Sequence, residues 1–419
     1  MLTDADFRCY AILAFFIAWL APRQVAQADT AAPVSCNQPT SEAVAWVDLP
    51  GDLPFQALPS ADGCWIFVSL ASGKDEARNN DPKGRVALLR REGGRIALIR
   101  TVKVGGNPTG MVLTHDGLLL VVADGNRIAF LDTRRLISGQ GSAILAYWND
   151  GARVPGRTYV NITSDDRYIF VSDEQADTIS VIRLPDAREA RNFKPENVGR
   201  IPVGVGPVAV TLSPDERYLY ATTISMPPSE KWPQTCIKEW ERAAKPHPQG
   251  AIFVIDVERA KTNPRYAVIS KSLGGCSPIR LILSVSGDTA YVSGRGENNL
   301  LIFDTSKLMS DPGHALRAKV PTGQAPIGIA LVDGGRKLIV SNSNRFGGSS
   351  DSQSLLIINA ENVDAGAGAV LGSVPALELP REMRVTSDQK TLLVVNTMSQ
   401  KLEVLDLDRI NAQMEIRRR

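Results

Sequence analysis

Histidine is the scarcest chemically useful residue in this chain, with three in 419 positions: His115, His247 and His314. None stands at metal-ligand spacing, so no zinc site or bis-histidine haem is expected, and no cofactor or metal is assigned. The five cysteines contain no C-x-x-C or C-x-x-C-H, which removes a thioredoxin-type redox centre and covalent c-type haem. There is no G-x-S-x-G elbow, phosphate-binding glycine loop or EF-hand. Nor is there a large excess of one charge: 47 Lys and Arg oppose 45 Asp and Glu. Without a basic stripe interleaved with aromatics, the chain offers no field favouring nucleic acid or anionic lipid. The Arg417-Arg418-Arg419 end reads as a solvated tail. Beyond residue 21 no apolar run is long enough to span a bilayer.

What is present begins with one apolar run, Cys9 to Ala21, followed by Ala26-Gln27-Ala28. The run is too short for a membrane span, and the small residues suit a peptidase, so residues 1–28 read as a signal peptide cleaved before Asp29. Export to the periplasm or beyond is therefore expected. Cys9 is lost with the signal, leaving Cys36, Cys64, Cys236 and Cys276 in an oxidising compartment, where an even number suggests two disulfides. Three connectivities are open. Cys36 with Cys64 and Cys236 with Cys276 is preferred, because the internal repeat brings each pair close.

That repeat organises residues 43–410. Each copy runs Pro, an alternating strand, a Ser/Thr-x-Asp-Gly type turn, a β-rich strand, a polar loop and a third apolar strand. The leading column reads Pro54, Pro108, Arg157, Pro207, Pro278, Pro326 and Pro380, at intervals of 54, 49, 50, 71, 48 and 54 residues. The long interval holds an insertion, residues 226–249, with Trp232, Trp240 and a helix-like 237–244 stretch, placed either to arch over one face as a lid or to pack on blades four and five as a surface excursion. Four short strands in about 50 residues is the content of a propeller blade. The fold expected is all-β: a seven-bladed β-propeller of four-stranded antiparallel blades. Its last copy runs out after the third strand, while an orphan strand, Ala43 to Leu49, precedes the first. The N-terminal strand should join the last blade beside Leu402 to Asp406 and remove an exposed edge. Residues 29–42 are a lead and 411–419 a tail.

The fourth copy, V-G-x-x-P-x-x-V-x-x-S-P-D-x-x-x-x-Y, resembles the YVTN-type propeller repeat, and the resemblance covers roughly residues 43 to 410. It implies kinship with exported YncE-like proteins and the lactonase-like superfamily, a scaffold that specifies no single activity.

In such a blade the inner strand comes first, so the loop entering it and the loop between strands two and three open on one face. Residues two past the leading column begin the inner wall: Gln56, Gly110, Tyr159, Ala209, Arg280, Gly328 and Glu382. Glu382, Arg280 and Arg384 form the only charged set there, in a wet channel or neutralising one another. If the chain is a lactonase-like hydrolase, Glu382 would be the general base, with Arg280 or Arg384 on the oxyanion. Such relatives are expected to use His, Glu and Arg, and no His falls in the inner columns. Gln56, Tyr159, Arg295 and Arg345 are candidate ligand contacts. Loop residues Asp124, Asp173, Glu174, Asn342 and Asn396 share that face. Asn161-Ile162-Thr163 matches a glycosylation sequon, but inside an inner strand. The function expected first is an exported scaffold that binds a small molecule or an envelope protein, as a monomer, with the hydrolase as the alternative.

Overall fold

Seven residues that should line one wall, from seven copies, can meet only if the copies stand in a ring, and they do. The structure, a computed structural model, describes residues 42–418 apart from 73–83, 152–155, 187–192, 238–244 and 348–352, with Cys36, Gln38 and Thr40. The expected signal segment, Trp240 and the helix-like stretch of the insertion after Ile237 lie outside the described residues.

Seven four-stranded antiparallel sheets follow one another, six with their strands in chain order and the seventh completed by the N-terminal strand. They occupy residues 53–103, 108–148, 157–202, 205–275, 278–321, 326–375 and 380–406. Their first strands touch in sequence around the axis, and the seventh touches the first. Val44–Asp48 supplies the fourth strand of blade seven, with Val44 opposite Leu405 and Asp48 opposite Lys401. Closure therefore runs through the N-terminal strand, as the orphan strand predicts. Both preferred disulfides are present, Cys36–Cys64 with Cα atoms 4.9 Å apart and Cys236–Cys276 at 5.4 Å.

The core is seven seams rather than one centre. Six of the apolar clusters each join two neighbouring blades; one, for instance, packs Leu393 and Val404 of blade seven on Ala57 and Val68 of blade one, while the seventh joins blades three and four and extends to Phe55, Ile279 and Ile327 of blades one, five and six. Seven such seams use every blade on both faces, so no blade is stable without its neighbours. Full burial of each Leu, Ile or Val contributes roughly 1.5–3 kcal/mol.

The turns between strands one and two are chemically alike. In blade one Ser60 Oγ donates to Asp62, whose carboxylate accepts the Cys64 N–H, and Gly63 takes φ 69°. Thr114 with Asp116, Thr163 with Asp165, Ser213 with Asp215 and Thr386 with Asp388 repeat the device. A short polar side chain bonding its own backbone two residues on makes the turn locally.

The inner strand is where alternation fails. In all seven blades the pairing slips just after the leading residue, before the third residue after it in six blades and before the second in blade one, a bulge at Pro54, Pro108, Arg157, Pro207, Pro278, Pro326 and Pro380. A bulge puts two residues opposite one and re-aims side chains. In five blades a buried hydroxyl in strand two accepts the N–H freed by the bulge: Ser69 from Gln56, Ser172 from Tyr159, Thr222 from Ala209, Ser293 from Arg280, Ser341 from Gly328. Ser69, Thr222, Ser293 and Ser341 also donate to the next blade's inner strand, at the carbonyls of Thr109, Ile279, Ile327 and Arg381. These bonds tie blade to blade near the axis.

Arg157, the one departure from the proline column, is fully buried in the seam of blades two and three. It pairs with Asp150, donates to the Asn126 carbonyl at 2.6 Å and faces the Trp148 ring, while Arg200 reaches the other Asp150 oxygen at 2.8 Å.

The third strands of blades two, four and five run into one helical turn before the fourth strand, Thr133–Ser138, Val257–Thr262 and Thr305–Ser310, capped by Asp132, Asp256 and Asp304. A carboxylate that ends a strand accepts the orphan N–H groups of the next turn. In blade seven Asp406 accepts the Arg409 N–H and the chain continues as a helix, Leu407–Arg418, so the expected boundary at 410 falls inside an element.

Candidate functional site at the channel mouth

The inner-wall residues named from the sequence separate into two levels. Gln56 is buried and inward, but it is spent: its Oε1 accepts the Met111 N–H of the neighbouring blade. Gly110 and Gly328 have no space for a side chain, since a Cβ would stand 2.5 Å from the Thr158 carbonyl and 2.2 Å from that of Arg381 respectively.

Tyr159, Arg280 and Glu382, from blades three, five and seven, meet in the interior. The Tyr159 hydroxyl donates to Glu382 Oε1 at 2.9 Å, and Arg280 Nε donates to Oε2 at 3.1 Å. The Arg280 Nη2 pairs again with Oε1. Its guanidinium carbon lies 3.6 Å from the Tyr159 ring centre. Burial pushes the Tyr159 hydroxyl up to about 12, with Glu382 adding to the rise, so it stays a neutral donor. Burial would lower the Arg280 pKa, but Glu382 and Tyr159 outweigh it and leave it above its usual value. Glu382 is 2% exposed. The trio is therefore a paired, enclosed unit.

Arg384, two residues on, remains open to solvent although protein surrounds it. That enclosure holds its pKa below the ordinary arginine value, with Glu382 opposing and Arg280 adding to the fall. It makes no ion pair with Glu382 among the described residues.

Above the trio the residues one past the leading column take over. Phe55, Val208, Ile279 and Ile327 are buried together in one apolar group with Tyr159. Tyr159, Val208, Ile279 and Ile224 floor a cavity of about 280 Å³, with Arg295, Arg345 and Arg381 around it. Arg381 lies over the Phe55 ring at 3.9 Å, Phe55 stands 5.4 Å from Tyr159 with the two rings tilted by 50°, and Arg280 lies over the Tyr159 ring, so guanidinium groups and rings alternate in contact. Thr158 and Glu174 share the wall, Thr158 Oγ1 donating to Glu174 at 3.2 Å. A second hollow of about 450 Å³ adjoins it through Thr158, Glu174 and Arg381, lined by Ser72, Asn107, Asn126 and Gln175 among others.

Arg295 and Arg345, named from the strand-two to strand-three loops, thus meet at the mouth, apart from Glu382. Arg381 was not foreseen. It directly follows Pro380, and strict alternation assigns that position to a seam; the bulge turns it to the mouth instead. The signal was the charge itself, since the corresponding positions in the other copies are Phe, Thr, Thr, Val, Ile and Ile. Asp173 and Asn342 serve the backbone, accepting the N–H groups of Gly156 and Gly323 in the loops that enter the inner strands. Asp124, wholly buried, accepts from Arg127 Nε at 2.9 Å. Asn396 donates to Glu403 within blade seven.

The insertion leaves this face toward the rim. Lys271, on the outer strand of blade four, pairs with Glu230 at 2.7 Å and faces Trp232 at 5.6 Å, and Cys236 is bonded to Cys276. None of its described residues lines the mouth cavity, so over those residues it packs on the blade instead of arching as a lid.

No protein-family model matches the sequence, and neither does any curated protein. Solved structures match it widely. The chain is similar to Kuenenia stuttgartiensis hydrazine synthase, at TM-score 0.62 and 18% identity over 86% of this chain and 97% of that one. It is similar to the periplasmic gluconolactonase of Pseudomonas aeruginosa, at TM-score 0.58 and 22% identity over 81% and 88%. The β-propeller domain of Myceliophteria thermophila Cps50 gives TM-score 0.58 and 11% identity over 87% and 99%. The chain is a seven-bladed β-propeller. At such identities the likeness is one of fold, and its holders bear names as unlike as a synthase and a lactonase.

Proposed function

We propose that this propeller is an exported binding protein of the cell envelope that holds a small ligand at the mouth of its central channel. The observation that carries the reading is the state of Glu382. Both its oxygens are engaged by Arg280 and Tyr159 within the buried trio, and it lines none of the described cavities, so it is held as the counter-charge of Arg280 and not as a base facing a substrate water. Beside it is a pre-formed concave site with an apolar floor and a few polar groups, the usual make-up of a ligand pocket. The apolar segment at residues 9–21 and the two disulfides support an oxidising location.

A second reading, a lactonase-like hydrolase, draws on one observation: a carboxylate and a guanidinium in hydrogen-bond contact at the axis of a fold shared with a gluconolactonase. One assay separates the two. Purified protein mixed with gluconolactone should leave the spontaneous rate of ring opening unchanged, and saturable turnover above that rate would establish the hydrolase. Export is checked by fractionation and by sequencing the mature amino terminus, expected at Asp29.

A further inference from the structure

Three arginines around one small cavity need an explanation that the fold does not supply. Arg295, Arg345 and Arg381 come from blades five, six and seven, and nothing in the repeat requires a cation at any of these places. Among the described residues none forms an ion pair with a carboxylate, and the Nε atoms of Arg295 and Arg381 are enclosed without an acceptor. Arg295 lies 5.5 Å from the Phe346 ring centre and Arg381 3.9 Å from that of Phe55, so aromatic faces hold the planar groups in place. The single carboxylate on this wall, Glu174, leaves an excess of two positive charges.

Gathering like charges in a partly dry place is unfavourable. Burial, then the repulsion of Arg345 and Arg381, brings the Arg295 pKa down to about 10, and burial with Arg381 lowers that of Arg345. Arg295 and Arg345 still carry charge at neutral pH, because a guanidinium does not lose its proton in that range. Ionisable groups crowded and perturbed in this way cluster at functional sites, where a bound group of opposite charge can relieve the repulsion. Guanidinium forks match the paired oxygens of carboxylate or phosphate, and two excess charges match two on the ligand.

We infer that the mouth cavity is a receptor site for a small dianion, a phosphate monoester or a dicarboxylate, gripped by Arg295, Arg345 and Arg381 over the apolar floor of Val208, Ile224 and Ile279. The inference rests on the binding reading above and gives it a ligand class.

Calorimetric titration of the full chain at low ionic strength tests it, with glycerol phosphate, succinate, acetate and glucose as probes. At least one of the two dianions is expected to bind at least tenfold more tightly than acetate, and which one binds assigns phosphate or carboxylate chemistry. Arg345→Gln and Arg381→Gln should each weaken that binding about tenfold or more without shifting the melting temperature downward, and Arg381→Lys should recover part of the loss. Failure of both dianions to bind, or binding that these substitutions leave unchanged, overturns the inference. The broader reading is scored separately: glucose binding that is lost in Ile224→Trp, which fills the cavity from its floor, would keep a binding site of another class, whereas no binding by any probe counts against both.

Discussion

Arg280 and Glu382 stand 102 residues apart in the chain, yet the Arg280 Nε lies 3.1 Å from a Glu382 oxygen, with both side chains enclosed and Tyr159 completing the set. The pair joins blades five and seven across the axis, a link that no seam between neighbouring blades provides.

Removing one member strands the other. Glu382→Gln leaves the Arg280 charge buried with no counter-charge and is expected to destabilise the fold by about 3–5 kcal/mol. The double substitution Arg280→Met with Glu382→Leu should recover most of that loss, because it removes both charges together. Urea unfolding of the three proteins decides this; equal losses in single and double variants would show that the pair does not act as a unit.

The hydroxyl tie of Ser293 should be costly to lose. It accepts the Arg280 N–H at 2.9 Å and donates to the Ile327 carbonyl of the next blade at 2.8 Å, fully buried. Ser293→Ala orphans both backbone groups, with an expected loss of about 1–3 kcal/mol. Ser293→Thr keeps the hydroxyl and should lose less. Thermal unfolding of the two variants compared with the parent gives the answer.

Asp124 gives the stability a pH dependence. Burial raises its pKa to about 7 against the opposing effect of Arg127, so the folded chain binds a proton that the unfolded chain has released. Between about pH 4 and 7 the folded state holds more protons, and stability falls as pH rises through that window. Asp124→Asn cannot ionise, so its stability relative to the parent should grow by about 2–4 kcal/mol from pH 4 to pH 7.5. Parallel stability curves for parent and variant would refute this assignment.

Ring closure depends on five residues. Val44–Asp48 pairs along the third strand of blade seven, and Cys36–Cys64 anchors the segment just before it to blade one. A chain beginning at residue 49 would expose the edge at 401–405, so it should melt at least about 10 °C lower and associate through that edge. Scanning calorimetry and light scattering on the truncated chain test both effects. A truncated chain that stays monomeric with the parent's melting point would count against closure as a stabilising feature.

Much of this molecule was legible before any coordinates because its governing rules are local or periodic. Asp62-Gly63 and its counterparts make turns through bonds within five residues, the spacing of the proline column counts the blades, and a last copy one strand short beside an orphan at 43–49 fixes how the ring closes. The disulfide partners follow, since the repeat itself places them side by side.

The sequence by itself determined the architecture: seven units, their strand order, their closure and the faces that fuse into seams. Only the tertiary structure decided the site. A bulge at the head of each inner strand shifts the count by one, and alternation cannot reveal on which side of the slip a residue falls. That slip delivers Arg381 to the mouth, beside loop arginines from two other blades. The contact of Tyr159, Arg280 and Glu382 likewise depends on how far each inner strand stands from the axis, a distance set by the packing of all seven seams together.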